Sequence, residues 1–181
     1  GQAIDSAAQN NLTLYGNAKI SSTQSKFGGT SLALDGTGDY ATFIGGLPFG
    51  TGDFTIEMFV YYTANTGNPC LLDARNSSDN NGIVLYSGPS SQLTYFFGSN
   101  RIVSSTVPST GAWHHIAVCR ASASTKLFFN GTQIGSTYSD THNSVAQPTT
   151  TIGSFVGGSE YLNGYIDDFR ISKTARYTSN F

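Results

Sequence analysis

Helical periodicity is almost absent from this chain. Short alternating or continuous apolar runs recur instead, each closed by Gly, Asn, Ser or Pro. That rhythm allows little besides an all-β sandwich of antiparallel strands. Strands are expected over Ser31–Leu34, Tyr40–Phe43, Phe54–Tyr62, Cys70–Arg75, Ile83–Ser87, Leu93–Phe97, Trp113–Arg120, Thr125–Asn130, Thr149–Ile152 and Tyr161–Ile171. Asn130-Gly131 divides Lys126–Phe129 from Thr132–Ile134 and is the best two-residue hairpin signal. No repeat or linker interrupts the 181 residues, so residues 1–181 are expected to form one domain. The run into Phe181 reads as continuing, and the domain is expected to be a piece of a larger protein.

Alternation assigns the faces of the central strands. Phe54, Ile56, Met58 and Val60 share one wholly apolar face, which must be core. Thr55, Glu57, Phe59 and Tyr61 share the other, which is mixed and so faces either a solvated groove or a partner. Trp113–Arg120 behaves alike, with Ile116 and Val118 inward and Trp113, His115, Ala117 and Cys119 opposite. Lys126, Phe128 and Asn130 lie opposite Leu127 and Phe129.

Composition then excludes several classes. Charged residues are only 11%, against roughly 25% in an average soluble protein. Ser (23), Thr (21), Asn (13) and Gly (21) take their place. With 13% aromatics the chain can bury a core, which excludes plain disorder. A net charge of -2 argues against nucleic acid, whose phosphates need a basic surface. No apolar run approaches the length of a membrane-spanning helix, so no membrane insertion is expected. Cys70 and Cys119 sit in apolar strand-like runs and read as buried free thiols rather than a bridge.

Five motifs resemble those of the laminin-G-like, concanavalin A-like jelly-roll domains. They are Lys26–Tyr40, Gly52–Val60, Trp113–Val118, Leu127–Gly131 and Asn163–Ile171. The tail Ala175–Phe181 is similar to endings of bacterial and bacteriophage copies, which are often modules of surface, tail or fibre proteins. The resemblance implies two antiparallel sheets face to face, one concave. It also implies a carbohydrate-binding or adhesion module placed extracellularly, on a cell surface or on a virion. Its expected partner is a glycan or cell-surface polysaccharide. The alternative is a structural module that contacts protein neighbours in a phage tail, fibre or capsid.

Three groups of residues are candidates for a site. On the mixed face, Glu57, Phe59, Tyr61 and His115 (with Phe128) suit a sugar, whose C–H faces stack on rings while hydroxyls bond polar neighbours. The plainer alternative is that Glu57 and His115 pair merely to settle polar groups. Trp113, beside Ile116 and Val118, is expected to anchor the core rather than to meet a sugar. The loop Arg75–Asn81, led by Arg75 and Asn76, is the second candidate, and Tyr138, Asp140, His142 and Asn143 form a comparable loop. The third is acidic. The resemblance implies a structural calcium, carried most naturally onto Asp167 with Asp39 or Asp35, and Asp5 as a further contributor. The plainer alternative is that Asp35 and Asp39 cap a turn. Catalysis is not expected. The only glutamates are Glu57 and Glu160, no nucleophile elbow occurs, and hydrolases usually need two carboxylates about 5–9.5 Å apart.

Overall fold

A computed structural model describes residues 2–3, 11–76, 80–88, 90 and 92–181. The described residues form fifteen strands. In chain order they are β1 (Gln2–Ala3), β2 (Leu12–Tyr15), β3 (Lys19–Ser21), β4 (Ser31–Asp35), β5 (Tyr40–Ile44), β6 (Phe54–Ala64), β7 (Cys70–Asp73), β8 (Ile83–Ser87), β9 (Leu93–Phe97), β10 (Ser99–Val103), β11 (Trp113–Ala121), β12 (Ser124–Phe129), β13 (Thr132–Ser139), β14 (Thr149–Ile152) and β15 (Asn163–Ser172). One sheet has the order β1-β2-β5-β14-β7-β8-β9-β10, and the other β13-β12-β11-β6-β15-β4-β3. Every ladder pairing between these strands is antiparallel. This is the two-sheet jelly-roll sandwich expected of the sequence. All ten expected strands are present, the second arm of the Asn130-Gly131 hairpin extends as β13, and the short pieces β1, β2, β3 and β10 are added.

The core forms where apolar faces meet. Phe54, Ile56, Met58 and Val60 of β6, with Ile116 and Val118 of β11, pack against Leu71, Leu85, Leu93 and Tyr95 of the opposite sheet. All ten are fully buried, as period-2 alternation requires of an inward face. The longest strand, β6, lies between β11 and β15 at the centre of its sheet. Its outward side chains therefore have neighbours on both sides. Both cysteines are free and buried, in different sheets.

Asn130 and Gly131 close the β12–β13 hairpin with φ of 48° and 80°. Two positive φ values define the turn that matches strand twist. A methyl group at Gly131 would also lie 2.0 Å from the carbonyl oxygen of Phe181. Gly131→Ala is expected to lower stability by about 1–3 kcal/mol, through backbone strain and loss of that close approach. Urea unfolding measures it, and a loss below about 0.5 kcal/mol would contradict the argument.

Candidate functional site

The outer face of the seven-stranded sheet is organised in cross-strand rows centred on β6. In the first, Trp113 pairs with Tyr61 and Tyr61 with Tyr165. The ring centroids are 5.7 Å apart on one side and 5.9 Å on the other, with interplanar angles of 61° and 78°. All three rings are half-buried. The second row is His115, Phe59 and Asp167. His115 lies 4.8 Å from Phe59, and Phe27 meets Phe59 edge-on at 5.2 Å. The Lys26 ammonium stands 5.3 Å from the centre of the Phe59 ring. Rings and polar groups thus alternate over this half of the face, which suits amphipathic ligands.

The other half is covered by the chain's own last residues. Thr55 donates its hydroxyl to the Thr174 carbonyl at 2.8 Å, and the Arg176 amide donates to Thr55. Glu57 is 1% exposed. It accepts the Tyr177 hydroxyl at 2.7 Å and faces the guanidinium nitrogens of Arg176 at 2.9 Å and Arg170 at 3.2 Å. His115 Nε2 lies 3.2 Å from the same carboxylate. Burial pushes the His115 imidazole below its ordinary value despite the pull of Glu57. Near neutral pH the ring is therefore uncharged, and Nε2–H donates to Glu57 because a carboxylate only accepts. Tyr177 and Phe181 stack on each other at 3.6 Å, with Phe128 and His115 against them. Beneath the tail, Ala117, Cys119 and Phe128 form a second small core with Ala175 and Tyr177. The Phe181 amide, bonded to the Gly131 carbonyl at 2.9 Å, closes the strap on the hairpin turn.

The sequence-derived candidates therefore divide. Phe59 and Tyr61 stand in the open half, and His115 at its border. Glu57 is the tail's anchor and is not available to a ligand. Trp113 is corrected from core anchor to outer-face ring, since it is absent from the core cluster and packs on Tyr61. Tyr165 was missed, although the alternation Asn163, Tyr165, Asp167 would have placed it beside Tyr61. Arg75 does not join this face. It follows β7 in the other sheet, fixed on buried Asp73 at 2.6 Å and flanked by the rings of Phe96 and Phe155. Asn76 follows it, and residues 77–79 of that loop lie outside the described residues. Asp140 and His142 brace the sandwich edge. Asp140 accepts from Thr125, from the His142 amide and from Tyr95.

Calcium was expected at Asp35, Asp39 and Asp167. Asp39 accepts the amides of Asn17 and Asp35, while Asp35 accepts that of Thr37. Asp167 lies four residues along β15 from the partner of Asp35, about 13 Å away, and accepts the amides of Lys26 and Phe27. Three carboxylates so placed cannot share one ion, and they cap turns instead. Among the described residues no three His, Cys, Asp or Glu stand together as a metal-ligand set. Asp5 lies outside the described residues.

A family model described as the concanavalin A-like lectin/glucanases superfamily matches residues 35–179. The chain belongs to that superfamily. Solved structures share this concanavalin A-like fold at low identity. Domain 4 of AbnA, a GH43 extracellular arabinanase from Geobacillus stearothermophilus in complex with arabinotriose, is 18% identical with a TM-score of 0.75. That match covers 92% of this chain and 82% of the other. Carbohydrate binding module CBM66 from Bacillus subtilis is 13% identical with a TM-score of 0.53, covering 89% and 94%. A Trypanosoma rangeli sialidase is 13% identical with a TM-score of 0.74, and the match covers 97% of this chain but only 29% of the sialidase. No curated protein sequence matches the chain.

Proposed function

We propose that this concanavalin A-like domain is a non-catalytic carbohydrate-binding module that holds a glycan on the row Trp113, Tyr61 and Tyr165. The observation that carries the reading is the row itself: three half-exposed rings in register on three adjacent strands. Aromatic faces receive the C–H faces of sugars, and neighbouring polar groups receive hydroxyls. Glu57, the only glutamate on this face, is enclosed by two arginines, a histidine and a tyrosine under the tail. It supports anchoring rather than acid–base chemistry. The neighbours of the same fold that carry arabinotriose or the description carbohydrate binding module support the ligand class. An extracellular or cell-surface parent protein fits their company.

The three rings are steeply inclined to one another, so they do not form one flat shelf. This suits a single twisted glycan chain better than the planar face of a crystalline polymer. The test is a glycan array on the isolated chain, followed by calorimetry with the best binder. Trp113→Ala and Tyr61→Ala are each expected to weaken binding at least tenfold, about 1.4 kcal/mol, with melting little changed. A blank array together with concentration-dependent oligomers would replace this reading with a structural module of an assembly.

A further inference from the structure

A hollow of about 400 Å³ opens beside the aromatic row, where β6 ends and β15 begins. Its walls include Asp35, Thr37, Thr66, Glu160, Tyr161 and Asn163. Asn163 precedes Tyr165 by two residues on β15. It pairs with Ala64, another wall residue, three residues beyond Tyr61 on β6. The volume lies at the lower end of the roughly 300–1,000 Å³ found for small-ligand sites. Its chemistry is one-sided. The lining contains two carboxylates, two hydroxyl side chains, an amide and a phenol, and no Lys, Arg or His.

We infer that this hollow is the specificity subsite of the glycan face, seating an uncharged sugar and turning away sugars that carry a carboxylate. The inference rests on the carbohydrate-binding reading. Asp35 Oδ1 accepts the Thr37 amide at 2.8 Å, and Glu160 Oε2 accepts the Asn68 amide at 2.9 Å. These bonds hold each side chain at the wall. The second oxygens, Asp35 Oδ2 and Glu160 Oε1, have amide nitrogens only at 3.5 Å, from Asn17 and Asn68. Each carboxylate offers about four acceptor positions, so both keep capacity for sugar hydroxyls. The Asn163 amide and the Thr37 and Thr66 hydroxyls add donors and acceptors beside them. A uronic or sialic acid would bring a third negative charge among these groups with no cation in the wall to receive it. Exposed Lys26 stands beside Phe27 and Phe59, not in this lining.

The experiment uses an array of neutral arabino-, xylo-, gluco- and galacto-oligosaccharides beside their uronic-acid and sialic-acid counterparts, with calorimetry on each responding pair. The wild-type chain is expected to bind the acidic member at least tenfold more weakly. The double variant Asp35→Asn with Glu160→Gln keeps shape and hydrogen bonding, and is expected to bring each pair within about threefold. Thr66→Trp, at an exposed wall position, is expected to fill the hollow and weaken binding of the neutral member. Equal wild-type binding of acidic and neutral members overturns the inference. So does a discrimination unchanged in the double variant. If Trp113→Ala abolishes binding while every hollow variant leaves it untouched, this subsite falls and the aromatic row stands. If the wild type binds no probe, both fall. A calcium titration supplies the remaining outcome: stoichiometric calcium uptake lost in the double variant would make the hollow a cation site and overturn the sugar assignment.

Discussion

Arg120→Met is expected to lower stability by about 3–5 kcal/mol, a large share of the roughly 5–15 kcal/mol that holds an ordinary domain folded. Arg120 is 1% exposed, and it is the largest fully buried side chain among the described residues. Its guanidinium donates to three backbone carbonyls, those of Gly50 at 2.7 Å, Gly52 at 2.8 Å and His142 at 2.9 Å. It also stands 3.7 Å from buried Asp140 and 4.9 Å from the centre of the Phe54 ring. Methionine keeps most of the apolar stem, so packing on Phe54 is largely preserved. What disappears is the set of five donors. The Gly52 and His142 carbonyls then lose the guanidinium, the Gly50 carbonyl keeps only the Ser144 amide, and buried Asp140 keeps only His142 opposite it. Lysine recovers charge but not the fork, and is expected to rescue less than half of the loss. Chemical denaturation of the three proteins measures this. A methionine variant within 1 kcal/mol of wild type would show that water satisfies those carbonyls.

The second large effect is expected at Glu57. Glu57→Ala removes the carboxylate that Tyr177, Arg176, Arg170 and His115 share. Arg170 and Arg176 are about two-fifths exposed, so their charges regain water and contribute modestly. The main loss is of the tail's hydrogen bonds and of the packing of Tyr177 over Ala117, Cys119 and Phe128. A total of about 2–4 kcal/mol is expected. An independent readout comes from Cys119, which lies under the tail with 1% exposure and its sulfur 3.3 Å from the Thr55 hydroxyl. Release of the tail is expected to raise its rate of reaction with a thiol reagent at least tenfold. Cys70, fully buried in the other sheet with its thiol pushed up by burial, is expected to stay slow. Unchanged Cys119 reactivity in a folded Glu57→Ala protein would mean that the tail holds without its anchor.

The sandwich was legible because the strands carry period-2 alternation that nothing else in the chain contests. The inward faces of β6 and β11 were readable to the residue. Edge strands were not, because β3 and β10 bury little and carry no clear pattern. The tail was unreadable for a different reason. Its contacts join Thr55, Glu57, Phe128 and Gly131 to residues 174–181, separations that no local pattern reports. One signal was present: Ala117, Cys119 and Phe128 are apolar on a face where solvent was one of two alternatives, so something had to cover them. Trp113 was misread by weighing its neighbours Ile116 and Val118 above its own parity. The acidic residues misled because Asp35, Asp39 and Asp167 also suit turn capping, and only the strand register separates Asp167 from the other two.

The tail also fixes a direction. It occupies the face beside Thr55 and Glu57, so a polymer laid lengthwise on β6 would run into the strap within two residues of Phe59. The transverse path over β11, β6 and β15, about two strand spacings or 10 Å long, stays free, as does the stretch of β6 and β15 that leads from Tyr61 away from the strap to the hollow at Ala64 and Asn163. A ligand therefore crosses the strands over the row and can turn along them only away from the strap, toward the hollow, so the strap sets how few of its units can touch the protein at once.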